Sequence, residues 1–138
     1  MAEAFFNLLA QQRGLPARAF SAGLSVSNHK ASDNAIQAAA EYGAELSSHR
    51  PQSLTQCMVN DADLILTMTE DYKRNVEMNY PSAQGKTWTL LQFIGEQGNI
   101  DDPYGGSLEV YRKCARQLWE AVSKVIDRLQ MEGDGHAR

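Results

Sequence analysis

Leu64-Ile65-Leu66-Thr67-Met68 is an almost unbroken apolar run set between two helix-patterned stretches, and it restricts the fold more than any other part of the chain. Continuous apolar character over so short a span marks a parallel strand covered on both faces. Lys86 to Leu90 reads as a second, more alternating strand at an edge. Arg18 to Ala22 reads as a short strand leaving the sheet at Gly23. Strands alternating with helices at this spacing imply an α/β fold with a parallel sheet, whose ligands bind at the C-terminal ends of its strands.

The helices are legible from spacing and punctuation. Met1, Phe5, Leu8 and Leu9 recur at helical intervals, with Gly14 past the end and Pro16 as a stop, so the chain opens inside a helix. Ser32 caps a helix from Asp33 to Tyr42 that Gly43 closes. Leu24 to Lys30 is a loop, and the polar loop from Ala44 to Thr55, with Ser47, Ser48, His49, Arg50 and Pro51, is a candidate site wall. Thr55 caps a short helix to Asn60, and Glu70 to Tyr80 is a helix stopped by Pro81. Leu108, Tyr111, Ala115, Leu118, Trp119, Val122, Val125, Ile126 and Leu129 form the apolar stripe of one long closing helix. Residues 1–131 are expected to form a single domain and 132–138 a flexible tail, in which His136 is inert.

With 138 residues, 43% hydrophobic, and a formal net charge of -4, the chain belongs to the soluble globular class; neither a nucleic-acid nor a membrane partner is expected. Met1-Ala2-Glu3-Ala4 lacks the basic flank of a signal peptide, and the cytoplasm is the expected location. Cys57 and Cys114 have no second Cys or His at short spacing, so neither a disulfide framework nor a metal site is expected. Both read as buried structural thiols.

Asp101-Asp102-Pro103-Tyr104-Gly105-Gly106-Ser107 has the composition of a catalytic loop. Pro103 fixes its own φ and biases Asp102 toward extended backbone, the two glycines allow a sharp turn, and Ser107 is placed to cap the long helix. As bare residues the same string is also ordinary turn chemistry.

Taken in order, Met1-Ala2-Glu3-Ala4, Ser21-Ala22-Gly23, Ser48-His49-Arg50, Leu64 to Met68 and Asp102 to Ser107 resemble the low-molecular-weight protein phosphatase family over essentially the whole chain. The resemblance implies a three-layer sandwich around a short parallel four-stranded sheet. It further implies hydrolysis of a phosphorylated protein, at phosphotyrosine or phosphoarginine, through a cysteinyl-phosphate intermediate, with no cofactor or metal. By that resemblance Asp102 is the general acid and then the general base, with Asp101 the weaker candidate. Tyr104 is the aromatic wall beside the leaving group, and Ser21 and His49 hold the phosphate loop in shape. Gly105-Gly106-Ser107 is similar to the bacterial arginine-phosphatase-like branch. Arsenate reduction is disfavoured because it needs further relay cysteines.

The chain departs from the family pattern in three respects. Gln52 stands where relatives commonly carry Arg, and Asn75 where some carry Asp. The family's first, central strand and its Cys-x5-Arg-Ser-Pro phosphate loop are expected to be missing: the sixth residue after Cys57 is Asp63 and after Cys114 is Glu120. The 138 residues by themselves are accordingly expected to lack a nucleophile and to be inactive, as a truncated phosphatase. The alternative is a non-catalytic binding or regulatory module.

Overall fold

Local capping chemistry starts most of the helices. The computed structural model describes residues 1–23, 32–47 and 51–136, with side chains through residue 131. Among the described residues, six α-helices run Ala2–Gln12 (α1), Asp33–Ala40 (α2), Gln56–Asp61 (α3), Glu70–Asn79 (α4), Leu90–Phe93 (α5) and Leu108–His136 (α6). Two strands, Ile65–Thr67 (β1) and Thr87–Thr89 (β2), lie among them. The side chains of Ser32, Thr55, Thr69 and Thr89 each accept from a backbone N–H three residues on, satisfying one orphan donor at the start of α2, α3, α4 and α5. Gly14 and Gly43 take positive φ just past α1 and α2, as the sequence predicts.

The residues cluster into two compact units. One holds residues 1–21, the described part of 29–50, and everything from Asp102 onward. In it α1 and α2 both pack against α6. Phe5, fully buried, meets Trp119 edge-on with ring centroids 5.2 Å apart and Tyr42 at 5.5 Å. Such pairs add about 0.5–1.5 kcal/mol to the burial itself. Ala38 and Ala39 on α2 and Ala115 on α6 have no exposed surface, so small side chains let the helices approach closely.

The second unit holds Ala22, Gly23 and residues 51–101. β1 and β2 pair in parallel with Ile65 opposite Thr87, Leu66 opposite Trp88 and Thr67 opposite Thr89. Val59, Val76 and Ala83 form a buried cluster onto which Leu54, Ile65 and Tyr80 pack. Lys86 donates to the carbonyls of Val59 and Ala62 at 2.6 and 2.7 Å, closing the C-terminal end of α3 with a cation where the helix dipole favours one.

The structure corrects several expectations. Arg18 to Ala22 is not a strand: the nearest ladder is one parallel bridge, Gly23 to Ser53. Backbone groups in that segment bond to side chains of α1 instead, Ala19 exchanging two bonds with the Asn7 amide. The described residues thus form a two-stranded sheet rather than the three strands read from the sequence. Ile65 and Leu66 are half-buried, so β1 is not the doubly covered strand its apolar run suggests. Leu90 opens α5 rather than ending β2, because Thr89 and Gln92 form a reciprocal capping box. α6 is helical to His136, each added residue of a nucleated helix gaining a hydrogen bond.

Candidate active site

Asp102 is held by its own turn. Oδ1 accepts from the Tyr104 N–H at 3.0 Å, an Asx turn that aims the exposed carboxylate forward of Pro103. The Gly106 N–H then donates to the Pro103 carbonyl at 2.8 Å. Gly105, third in this four-residue turn, has φ 75°, the left-handed value that a type II turn demands there. Gly106 is required for a different reason: a Cβ would stand 2.8 Å from the Pro103 oxygen and 2.9 Å from a Val110 methyl. Ser107 Oγ accepts from the Val110 N–H at 3.4 Å and its carbonyl from the Tyr111 N–H at 3.1 Å, which starts α6.

Tyr104 is 79% exposed, so its ring projects from the turn into solvent instead of packing on the core. An exposed aromatic beside an exposed carboxylate has the composition of a flat wall flanking a proton donor. The Asn34 side chain, on the first turn of α2, donates from Nδ2 to the Gly106 carbonyl at 3.2 Å. Arg112, one turn into α6, binds Glu41 at the end of α2 with nitrogen-oxygen distances of 2.8–3.2 Å.

Ser21 is fixed by Glu3 on α1: Glu3 Oε1 accepts from the Ser21 N–H at 2.7 Å and from its hydroxyl at 3.2 Å. His49 lies outside the described residues, as do Ser48 and Arg50. The structure therefore brings Asp102 and Tyr104 together, and attaches Ser21 to α1. Sequence reasoning missed Glu3, Asn7 and Asn34. Nothing in their local context distinguishes them from ordinary helix residues, since their partners are at least 12 residues away.

The two cysteines differ in exposure. Cys57 is exposed on α3, whose inward face is carried by Val59, so the expectation of a buried thiol is wrong there. Cys114 is buried on α6. Burial pushes its thiol above the ordinary range, the Met1 ammonium pulls it back, and the Asp102 carboxylate pushes it up again. A nucleophilic cysteine needs the opposite environment. Among the described residues no group of His, Cys, Asp and Glu could hold a metal ion, and no helix is long and apolar enough to cross a membrane.

Comparison with known proteins is consistent along the chain. Residues 1–134 match the family described as low molecular weight phosphotyrosine protein phosphatase. The protein-arginine-phosphatase of Bacillus subtilis is 32% identical over 134 residues, covering 96% of this chain and 89% of that protein. A probable low molecular weight protein-tyrosine-phosphatase, EpsP of Ralstonia solanacearum, is 33% identical over 82% of this chain and 77% of its own. The YwlE arginine phosphatase of Geobacillus stearothermophilus superposes with a TM-score of 0.89 at 32% identity, over 99% of this chain and 88% of that one. A match reaching from the first turn of α1 through α6 and a shared fold at that identity establish that this chain belongs to the low-molecular-weight protein phosphatase family, with its α/β fold and its hydrolase chemistry.

Proposed function

We propose that Asp102 is the proton-transfer residue of a cysteinyl-phosphate mechanism acting on phosphoarginine or phosphotyrosine in proteins. The Asx turn carries this reading: it presents a carboxylate at an exposed loop tip, beside an exposed ring, from a rigid helix start. In the first step a thiolate attacks phosphorus, the bond to the leaving nitrogen or oxygen breaks, and Asp102 gives that atom its proton. In the second, Asp102 takes a proton from water as the water oxygen attacks phosphorus and the sulfur departs. Tyr104 flanks the leaving group, and Ser21 and His49 support the loop that holds the phosphoryl oxygens. Gly105-Gly106-Ser107 and the similarity to two arginine phosphatases favour phosphoarginine as the substrate class.

Neither Cys57 nor Cys114 is the nucleophile. Neither opens a Cys-x5-Arg segment, and Cys114 is buried with its thiol form favoured. The 138 residues by themselves are thus inactive toward phosphate esters and phosphoramidates. A chimera with a strand and Cys-x5-Arg-Ser-Pro loop of the family pattern placed before Met1 tests the reading. The expected result is hydrolysis of p-nitrophenyl phosphate and of a phosphoarginine peptide by the chimera alone. Release of p-nitrophenol by the 138-residue chain, abolished by Cys57→Ser or Cys114→Ser, would overturn it. A chimera that folds but never turns over would favour a non-catalytic binding module.

A further inference from the structure

We propose that Asn34 is a positioning residue for the turn that carries Asp102. Its functional meaning rests on the reading of Asp102 as the proton-transfer group. The connection is a single bond between parts of the chain 72 residues apart, from Asn34 Nδ2 to the Gly106 carbonyl at 3.2 Å. That carbonyl belongs to the residue whose N–H closes the turn onto Pro103, so holding it restrains the glycine on which the turn closes.

The anchor itself is held by contacts independent of the loop. Asn34 stands on α2, which buries Ala35, Ala38 and Ala39 and packs against α6. The far end of the same helix is tied to α6 by Glu41 and Arg112. α2 is therefore braced at its C-terminal end to the helix that follows the turn and at its N-terminal end to the turn itself. A side chain at Gly106 would collide with the Pro103 oxygen and Val110, so the turn lies close on both, and the Asn34 bond to the Gly106 carbonyl adds a third restraint from α2.

Asn34→Asp separates this role from general stability. The substitution keeps the side-chain shape, replaces the donor with an acceptor facing a carbonyl, and adds negative charge in the first turn of a helix, where charge of that sign is favourable. The test is amide exchange measured residue by residue by NMR on the 138-residue chain, with a melting temperature for each variant. Asn34→Asp is expected to melt no earlier than wild type, yet to speed exchange at the Tyr104 and Gly106 amides by roughly tenfold, about one hydrogen bond's worth. Ala38, Ala39 and the α6 amides should exchange unchanged. Asn34→Ala should show the same pattern at the turn. Unchanged exchange at Tyr104 and Gly106 in both variants would overturn the proposal, as would equal acceleration across α2. No turnover is read, so failure here would leave the role of Asp102 standing, and loss of that role would leave this result standing.

Discussion

A single carboxylate oxygen, Glu3 Oε1, accepts both the backbone N–H of Ser21 at 2.7 Å and its hydroxyl at 3.2 Å, which fastens an extended segment to the first turn of α1. Hydrogen bonds to an ionised acceptor contribute about 1.5–3 kcal/mol when well sheltered, and less when the pair is half-exposed as here. Glu3→Ala should lower the unfolding free energy by about 1–2 kcal/mol in urea titrations, and Glu3→Gln by less, since the amide oxygen still accepts. A Glu3→Ala midpoint equal to wild type would mean the segment is held elsewhere.

In the catalytic chimera, Asp102→Ala should slow turnover by ~10²–10⁴, the usual loss for a general acid, whereas Asp101→Ala is affected far less. Rates that fall equally in the two variants would remove the distinction between these neighbours.

Gly105 and Gly106 should respond differently to alanine. At Gly105 nothing stands within 4 Å, so the only cost is the positive φ, about 1–2 kcal/mol. At Gly106 the added methyl collides with the Pro103 oxygen and Val110, and the turn must open, at about 1–3 kcal/mol. Gly106→Ala should also loosen the Asp102 turn, seen as accelerated exchange of the Tyr104 amide, while Gly105→Ala leaves α6 and its cap intact.

Thiol chemistry distinguishes the cysteines. Cys57 should react with an aromatic disulfide reagent in the native state, and Cys114 only on unfolding. Because burial raises the folded-state pKa of Cys114, the folded chain keeps a proton that the unfolded thiol has released once the pH exceeds about 8.5. The unfolded state then binds fewer protons, so this contribution is complete below that pH and is lost as pH rises through the folded value. The stability difference between wild type and Cys114→Ala should shrink as the pH rises above about 8.5, read from urea midpoints.

Much of this molecule was decided within a few residues of chain. Ser32, Thr55 and Ser107 cap helices because a short side-chain oxygen three residues ahead of an orphan N–H needs nothing distant, and the Phe5 and Trp119 positions follow from the apolar period of their own helices. The family resemblance was likewise readable, because motifs are local strings. Three features were not. Arg18 to Ala22 has a strand's composition, yet a strand exists only when a neighbour completes its ladder, and the Glu3 and Asn7 side chains took those backbone groups first. Thr89 and Gln92 diverted Leu90 into a helix. The bond from Asn34 to Gly106 joins residues 72 apart, and the exposure of Cys57 depends on which face of α3 carries Val59 inward. Sequence alone settles what bonds to a near neighbour; only packing brings distant groups within 3 Å or so and chooses which of two chemically adequate partners a backbone group takes.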